Sequence, residues 1–498
     1  MSFNLIAKQL DIASGGEQIV LVNEATATKH GIHPGDHIIL SKKGVDEIIC
    51  VVDTTTDVIG KRHIGIFKDI YEKYGIKNDA DILITLFEKP ISVEYIKKKI
   101  KGQQLSYGEI KTIIEDIVVD RLGVIEKTYF LSTIYNPGYS EEELYSLAKA
   151  MAETGSELSF DGIVGDKHSI GGIAGKGITP IVVAIVASFG VKVPNTSTRS
   201  ITSPAGTTDM LETIVPMTFT VEQVKEFIEK ENACMVWGGG LNIAPADEDL
   251  IRIETPMEIE SYDKILVSIL AKKIAVGDKF LVIDVPAGSE GKIHHQEDII
   301  SIKEHFTELG AKFGMKVVVS DRYPNSIDGN AAGPKLEMRE VLYIFENHPA
   351  KSIQLENEAI RLAGILLELC GVAQTGEGEQ KAREAMQNGS AFEKFKRIIA
   401  MQGGNRDVYS SELDSKAPSL TFRSVRDGAI KSIQNKKVLA LGSLLGCPLD
   451  TSAGIYFYKK PGETISKGMN MFTIYATAPE RLQLGAEYIK SNNLFEIV

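Results

Sequence analysis

Three consecutive polar residues, Lys167, His168 and Ser169, stand directly before a glycine-rich stretch in the middle of the chain. Residues 166–190 read DKHSIGGIAGKGITPIVVAIVASFG. Glycine allows backbone N–H groups to approach an anion, and Pro180 is typical of the first turn of a helix. Because a helix N-terminus carries partial positive charge, this stretch predicts a phosphate-binding site completed by a lysine and hydroxyl groups.

Two better-known phosphate motifs do not occur in this stretch. The P-loop pattern GxxxxGK[ST] fails because Gly177, and not a hydroxyl residue, follows Lys176. The GxGxxG spacing of dinucleotide-binding folds is also absent here. A glycine-rich turn alone is equally typical of a strand packed closely against a helix, so the phosphate prediction needs a second cluster.

That second cluster follows at residues 195–209, which read NTSTRSITSPAGTTD. It is a hydroxyl-rich loop with one arginine, Arg199. Hydroxyl groups can hydrogen-bond phosphate and ribose oxygens without adding charge. Alone, such a loop is also typical of a solvated turn, but with the first cluster it predicts one shared site.

The composition limits the class of protein and its partners. The chain has 498 residues, of which 43% are hydrophobic and 24% charged, as in an ordinary globular protein of roughly three or four domains. Its formal charge of -12 argues against nucleic-acid binding. The chain begins without a signal-peptide pattern and has no apolar run of ~18 residues, so we expect a cytoplasmic protein without membrane contact.

Four scattered cysteines indicate neither a disulfide framework nor a zinc site. Cys50, Cys234, Cys370 and Cys447 form no CxxC pair and have no histidine at metal-ligand spacing. We expect buried free thiols and no metal.

The elements that must position the two clusters indicate an α/β multidomain protein. Short β-branched runs predict a small N-terminal β-rich domain, and helical spacing with capping boxes at Ser106 to Glu109 and Ser140 to Glu143 predicts a helical domain after it. A large α/β domain with a mixed sheet and a C-terminal α+β portion follow. The expected boundaries are 1–88 for the β-rich domain, 89–162 with a returning segment at about 245–277 for the helical domain, 163–244 and 278–420 for the α/β domain, and 421–498 for the C-terminal portion.

The pairing of the two clusters resembles a known family, the thymidine/pyrimidine-nucleoside phosphorylases with their close relatives, the AMP phosphorylases. DKHSIGG and TSTRSITSPAGTTDMLE carry the likeness, which extends through NIAPAD (242–247), SILAKK (268–273) and the C-terminal strands. It covers the chain from about Lys89 to the end. The additional N-terminal domain is similar to that of AMP phosphorylases and not to the shorter thymidine enzymes.

The resemblance implies two sets of binding residues. Phosphate-binding groups are expected at Lys167, Ser169, Thr179, Ser197 and Thr207. Nucleotide contacts are expected at Gly172, Thr198, Arg199, Ser200, Ile201, Thr202, Ser203, Thr207, Ser268 and Lys292, and at Lys272, which matches the lysine that reads a pyrimidine in the thymidine enzymes. Inorganic phosphate is implied as co-substrate, with no metal and no organic cofactor.

Two positions depart from the family pattern. Glu260 stands where AMP phosphorylases carry an aspartate proton donor, so the acid is kept with one more methylene. His168, with an ordinary pKa of about 6.5, is the other candidate donor, and the sequence leaves this choice open. The pyrimidine-reading arginine of thymidine enzymes is missing, since its place falls on Glu254 or Thr255 with Arg252 nearby.

The resemblance implies a pentosyltransferase that cleaves nucleoside 5′-monophosphates, AMP first, with phosphate to give the free base and ribose 1,5-bisphosphate. Two alternatives stay open: a thymidine or pyrimidine nucleoside phosphorylase, and a non-catalytic phosphate- or nucleotide-binding assembly protein. The resemblance also implies a helical and an α/β domain facing each other across a cleft, and a homodimer or larger homo-oligomer.

Overall fold

The protein was analysed as a computed structural model, in which the chain forms two compact units. The structure describes residues 2–15, 17–42, 45–200, 203–257 and 261–498. The first unit consists of residues 1–103 and 112–130, and the second of residues 104–111 and 131–498. The finer division into four domains that the sequence indicates stays a prediction.

A closed β-barrel forms most of the first unit. Its strands are β1 (Ser2–Leu10), β2 (Ile19–Asn23), β3 (His37–Lys42), β4 (Val45–Thr55), β5 (His63–Phe67) and β6 (Asp81–Leu86), paired in the order β1-β5-β2-β4-β3-β6. Antiparallel pairing of β6 with β1 closes the barrel. Alternating buried residues such as Ile38, Leu40, Ile82 and Ile84 fill its core. The expected β-rich N-terminal region is confirmed.

Two short helices, α1 (Glu24–His30) and α2 (Lys68–Tyr74), lie between barrel strands in the chain. After the barrel the chain becomes helical, as the apolar spacing indicates, with α3 (Ser92–Ile100), α4 (Tyr107–Val118) and α5 (Val124–Tyr135). The capping box at Ser106 to Glu109 precedes α4, with the Ser106 N–H donating to Glu109 Oε2 at 2.8 Å. The capping box at Ser140 to Glu143 starts the next helix of the chain. Both predicted helix starts are confirmed.

The second unit alternates helices with short strands. Its helices are α6 (Glu141–Glu153), α7 (Ile178–Ser188), α8 (Thr207–Leu211), α9 (Val221–Glu231), α10 (Pro245–Glu254), α11 (Tyr262–Ala275), α12 (Gln296–Lys312), α13 (Pro334–Phe345), α14 (Ile353–Leu369), α15 (Gly378–Gln387), α16 (Ser390–Met401), α17 (Asn435–Leu445) and α18 (Pro479–Ser491). Its strands are β7 (Gly165–Ser169), β8 (Val193–Ser197), β9 (Ala233–Trp237), β10 (Phe280–Pro286), β11 (Lys316–Arg322), β12 (Ala331–Ala332), β13 (Ser419–Arg423), β14 (Gly428–Ile433), β15 (Gly454–Phe457), β16 (Thr464–Ile465), β17 (Asn470–Tyr475) and β18 (Phe495–Ile497). Short 3-10 helices occupy Gly239–Leu241, Thr255–Met257 and Ser410–Leu413.

Parallel strands place the two predicted clusters at the same edge of the fold. β7 and β11 flank β10 in parallel, β8 pairs with β9 in parallel, and a parallel bridge joins Val164 to Lys192 just before β7 and β8. Lys167 to Ser169 end β7, and Ser197 ends β8. Ligands of such sheets bind outside the carboxyl ends of the strands, and both clusters lie there.

Helix α7 follows the glycine-rich loop and is buried along its length. It begins at Ile178, so Pro180 lies in its first turn as predicted. Residues 178–187 are all buried, and α7 packs against α14 and α16 in the main core of this unit. Because an all-apolar helix must be enclosed by other elements, the loop before α7 is held in one place.

The C-terminal part returns to strands, as the sequence predicts. One sheet has the order β12-β15-β17-β13 and another the order β16-β14-β18, with antiparallel pairing in both. The α/β multidomain class is confirmed, although the strands that carry the predicted clusters pair only in parallel in the described ladders. Among the described helices, none has both the length and the apolar composition needed to cross a bilayer.

A buried ion pair ties α11 to the two site-bearing strands. Lys273 donates to Asp166 on β7, and neither side chain is exposed to solvent. Asn195 on β8 donates to the same carboxylate at 2.9 and 3.0 Å. Burial disfavours the charge of Lys273, but Asp166 and Asp278 outweigh this and raise its pKa. The Lys273–Asp166 pair, with Asn195, therefore joins β7, β8 and α11.

We expect Lys273→Met to destabilise the protein by roughly 3–5 kcal/mol, because it leaves the Asp166 carboxylate buried without its counter-charge. The shift of the urea unfolding midpoint measures this loss. Lys225→Met, at an exposed position of α9, is the matched control and should change stability by no more than about 0.5 kcal/mol. Equal midpoints for the two variants would contradict the structural role of the pair.

Candidate active site

A cavity of about 220 Å³ lies at the carboxyl ends of β7 and β8 and is bounded by α10 and α11. Its walls contain all predicted phosphate- and nucleotide-binding residues that the structure describes. They are Lys167, His168, Ser169, Gly172, Thr179, Ser197, Thr198, Arg199, Ser200, Ser203, Thr207, Ser268, Lys272 and Lys292. Three predicted residues, Ile201, Thr202 and Glu260, lie outside the described residues. The roles of all these residues stay predictions, but the structure brings the described ones together.

Lys167 is a buried cation in the wall of this cavity. Its Nζ donates to Thr179 Oγ1 at 3.1 Å, which joins the end of β7 to the first turn of α7. Burial, together with the nearby ammonium of Lys176, lowers the pKa of Lys167 to about 8. A bound anion would offset both effects, so the side chain is suited to holding phosphate.

A neighbouring charge network, which the sequence analysis did not predict, surrounds Asp284 at the end of β10. Lys176 Nζ lies 2.6 Å from Asp284 Oδ2 and also donates to Ser169 Oγ. Ser169 Oγ donates to Asp284 Oδ2 at 2.9 Å. Burial would raise the pKa of Asp284, but Lys176, Arg322 and Lys167 hold it well below its usual range.

Arg322, at the end of β11, completes this network on its far side. Its Nε donates to Asp284 Oδ1 at 3.0 Å, and its two terminal nitrogens donate to Asp328 at 2.6 and 2.7 Å. Asp284 and Arg322 lie near the ends of two apolar runs, FLVIDVP and KVVVSDR, and this position was the sequence signal that could have indicated them. The Asp284 carboxylate positions Ser169 and Lys176, and the Arg322 guanidinium holds that carboxylate in place.

The glycine-rich loop adopts backbone conformations that only glycine takes readily. Gly172 and Gly175 have φ of 88° and 71°. A Cβ on Gly175 would stand 2.5 Å from the Ala331 carbonyl oxygen, and one on Gly172 would stand 2.7 Å from Lys292 Cγ. The loop therefore passes close to a neighbouring backbone on one side and to Lys292 on the other.

Not all N–H groups of this loop face the cavity, which corrects the expectation of a backbone cradle. Those of Gly175 and Lys176, together with that of Gly333, interact with the buried Glu337 carboxyl on α13. Burial nevertheless raises the pKa of Glu337 to about 8. Glu337 thus supports the glycine-rich loop on the side of α13.

Asp209 and Glu212 brace the hydroxyl-rich loop. Asp209 Oδ2 accepts from the N–H groups of Ser200 and Gly206 at 2.7 and 2.9 Å. The Arg199 guanidinium donates to both oxygens of Glu212 at 2.6 and 2.7 Å and lies 5.0 Å from the Trp237 ring centre. The side chain of Arg199 is therefore engaged within the protein, and sequence reasoning missed both acids.

Two buried polar atoms beside the cavity have no partner among the described residues. The amide nitrogen of Asn195 is bound by Asp166, while its Oδ1 and the Thr196 hydroxyl oxygen accept or donate no hydrogen bond. Both residues line the cavity. Because buried polar groups are usually satisfied, these atoms are suited to contact a ligand.

The helix side of the cavity combines apolar and charged groups. Ile251 on α10 and two isoleucines of α11, Ile265 and Ile269, line it. Lys264 and Lys272 are both held by Asp247, the last residue of the NIAPAD motif, at 2.5 and 2.7 Å. This face can pack against a planar apolar group while Asp247 pairs with its lysines.

His168 is a neutral imidazole in this site, contrary to the expectation of an ordinary pKa. Burial lowers its pKa well below 6.5, and the charges of Lys273, Lys272, Lys167 and Lys176 lower it further. A neutral histidine can accept or donate a hydrogen bond but holds no spare proton near neutral pH. Among the described residues, no group of three or more histidine, cysteine or acidic side chains could hold a metal ion.

Family models match three parts of the chain. Residues 93–155 match the helical bundle domain of a glycosyl transferase family, residues 161–251 match the α/β domain of that family, and residues 429–495 match the pyrimidine nucleoside phosphorylase C-terminal domain. The solved anthranilate phosphoribosyltransferase of Thermus thermophilus has the same fold over 62% of this chain and 98% of its own, with a TM-score of 0.51 and 18% identity. Fold and site thus define a glycosyltransferase.

Full-length relatives narrow this class. AMP phosphorylase of Methanospirillum hungatei is 36% identical over 97% of this chain and 93% of its own. The corresponding protein of Methanocaldococcus jannaschii is 36% identical over 94% and 92%, and that of Thermococcus kodakarensis 37% identical over 95% and 93%. The chain belongs to the AMP phosphorylase family.

The pKa of Lys167 predicts how phosphate capture depends on pH. Because that pKa is about 8 in the ligand-free site, raising the pH through this value removes the ammonium charge. We expect kcat/KM for phosphate to fall about tenfold per pH unit above it. Lys167→Arg keeps its charge, so its decline should begin at higher pH. Superimposable pH profiles for the two proteins would rule out this role.

The Arg199–Glu212 pair predicts a charge-reversal result. Arg199→Glu and Glu212→Arg should each lower kcat/KM about tenfold, because the hydroxyl-rich loop loses a tether and its groups move. The double reversal should restore activity to within about threefold of the parent, since it re-forms the pair. If the guanidinium instead contacts substrate, Glu212→Arg will be harmless and the double variant will remain as impaired as Arg199→Glu.

Proposed function

We propose that this protein catalyses the phosphorolysis of AMP, giving adenine and ribose 1,5-bisphosphate. The observation that carries the proposal is one cavity with buried cations and hydroxyls on its strand side and isoleucines on its helix side. These two surfaces suit the phosphate and the base of one nucleotide, with the sugar between them. The names and coverage of the relatives favour AMP over a pyrimidine nucleoside.

Phosphate would be held against C1′ of the ribose by the strand side of the cavity. The groups proposed for this are those of Lys167, Ser169, Thr179, Ser197 and Thr207. Lys176 joins them as a cation that contacts Ser169. A dianion in this position stabilises the positive charge that develops on the sugar, and its fixed orientation removes part of the entropic cost of the reaction.

The reaction forms one bond and breaks one. A phosphate oxygen bonds to C1′ while the C1′–N9 bond breaks and its electron pair moves to the base. The departing base takes a proton, which we assign to Glu260 because His168 is neutral. The proton of hydrogen phosphate replaces it, so the overall reaction consumes none.

Lys292 is proposed to bind the 5′-phosphate. Its side chain passes directly over Gly172, where a Cβ would collide with Lys292 Cγ. Lys292 also lines the cavity wall. The remaining nucleotide contacts are proposed along residues 198–203 and at Thr207, Ser268 and Lys272.

Three further expectations remain proposals. They are a cytoplasmic location, a homodimer or larger homo-oligomer, and activity without a metal or organic cofactor. Cell fractionation, sedimentation and assays after exhaustive dialysis against a chelator test them separately.

Base release decides between the candidate functions. The protein is incubated with AMP, CMP, UMP, adenosine, thymidine and uridine, with and without phosphate. We expect phosphate-dependent release from AMP and none from adenosine. Release from thymidine or uridine alone would favour a nucleoside phosphorylase, and no release despite phosphate binding would favour a non-catalytic binding protein.

Within the same assay, Lys292→Ala should raise KM for AMP by about tenfold or more, because a hydrogen bond to a charged group is lost. Lys225→Ala is the matched control. An unchanged KM for AMP in the Lys292 variant would remove this residue from the 5′-phosphate site.

A further inference from the structure

Asn435 is a buried amide that joins two loops of the site from the C-terminal part of the chain. It is the first residue of α17 and is not exposed to solvent. Its side-chain nitrogen donates to the Gly172 carbonyl oxygen at 2.6 Å and to the Glu290 carbonyl oxygen at 3.0 Å. Gly172 belongs to the glycine-rich loop, and Glu290 to the loop after β10 that carries Lys292. One amide group therefore bridges the two loops.

Two further hydrogen bonds fix the orientation of this amide. Asn435 Oδ1 accepts from the Ala174 N–H at 2.9 Å, and the backbone N–H of Asn435 donates to Glu290 Oε2 at 2.6 Å. The first N–H groups of a helix have no acceptor within that helix, and a carboxylate beside them also interacts favourably with the helix dipole. Glu290 thus caps α17, while the Asn435 side chain uses its carbonyl and its amino group together.

The glycine-rich loop has other backbone attachments close to Asn435. The Asp328 N–H donates to the Ala174 carbonyl oxygen at 3.1 Å, and the Gly329 N–H donates to the Gly175 carbonyl oxygen at 2.9 Å. These bonds do not involve α17. We therefore expect the glycine-rich loop to keep its place when the Asn435 amide is altered.

The loop that carries Lys292 depends on Asn435 more directly. A hydrogen bond from the Gly288 N–H to the Ile293 carbonyl oxygen at 2.8 Å closes the base of this loop. Between these two residues, Glu290 is bound to Asn435 through its carbonyl oxygen and through its carboxylate. Lys292 follows two residues later, so this attachment fixes the segment from which Lys292 extends.

Gly172 and Lys292 meet where the two loops are joined. A Cβ on Gly172 would stand 2.7 Å from Lys292 Cγ. Both residues line the cavity, and Asn435 binds the backbone of Gly172 and of Glu290. The separation of the two loops at this point of the cavity wall is thus set by a side chain from α17.

We propose that Asn435 is a positioning residue for the 5′-phosphate of the nucleotide, because it holds the loop of Lys292 against the glycine-rich loop. The inference rests on the proposed function and adds to it a residue of the C-terminal part. Asn435 acts through Lys292 in this scheme and does not contact the substrate. A displaced ammonium group would bind the 5′-phosphate less well, since such contacts are sensitive to shifts of about 1 Å.

Asn435→Asp tests the bridge with little change of shape. A carboxylate has no N–H donors, so it would face the two carbonyl oxygens that the amide now binds. We expect KM for AMP to rise about tenfold, with kcat and KM for phosphate within about threefold of the parent values. Asn357→Asp, at an exposed position of α14, makes the same chemical change and should leave all three constants at the parent values.

Glu290 provides a second pair of variants on the other side of the bridge. Glu290→Gln removes the charge but keeps an oxygen that can accept from the Asn435 N–H, so KM for AMP should rise by no more than about twofold. Glu290→Ala removes the acceptor as well, and we expect a rise of about fivefold. Thermal unfolding shows whether each variant folds, and if Asn435→Asp does not, the two Glu290 variants decide.

Combination with Lys292→Ala separates positioning from a general structural role. In the Lys292→Ala protein, Asn435→Asp should raise KM for AMP by at most about twofold, since the group that it positions is already absent. Three results would overturn the inference: an unchanged KM for AMP in both Asn435→Asp and Glu290→Ala, an equal rise in KM for phosphate, or a full rise that persists without the Lys292 side chain.

The proposed reaction can fail independently of this inference. If the parent protein releases no base from AMP, the reaction is contradicted, and calorimetric dissociation constants for AMP in the same variants decide the role of Asn435. Base release from AMP, with no effect of Lys292→Ala on KM for AMP, would contradict the inference and leave the reaction intact.

Discussion

Burial of positive charge around one cavity is the constraint on which the second unit depends. The chain as a whole is acidic, with a formal charge of -12, yet several lysines are enclosed here. An isolated buried ammonium group costs several kcal/mol, so each needs a carboxylate close by. Three buried aspartates supply them: Asp284 for Lys176, Asp247 for Lys264 and Lys272, and Asp166 for Lys273.

These aspartates connect the site to the fold because each comes from a different element. Asp284 on β10 lies opposite Ser169 in the parallel ladder with β7. Asp166 on β7 binds groups from β8 and α11, and Asp247 on α10 binds groups from α11. A shift of any of these elements would leave a buried charge unpaired. The charge pairs therefore fix the register of the elements that surround the cavity.

The same arrangement prepares the site for an anion. The cations are held in place before a ligand arrives, so little reorganisation is needed on binding. At Lys167 the nearby carboxylates do not fully offset the cost of burying the charge, because burial and Lys176 lower its pKa to about 8. The protein keeps this side chain at a cost in stability, and a bound anion, such as the proposed phosphate, would relieve it.

The sequence by itself determined several local elements and predicted a set of residues that line one cavity. Capping boxes marked the starts of α4 and α6, Pro180 marked the start of α7, and the two polar clusters identified residues that meet at one cavity. Such features depend on neighbouring residues, and the spacing of residue types therefore reveals them.

Only the tertiary structure decided which groups are available for chemistry. It engaged Arg199 with Glu212, directed the N–H groups of Gly175 and Lys176 toward Glu337, and made His168 neutral. Burial and the charges of side chains distant in sequence produce these effects. Local sequence patterns do not reveal such contacts, because the contacts form only when separate strands and helices pack together.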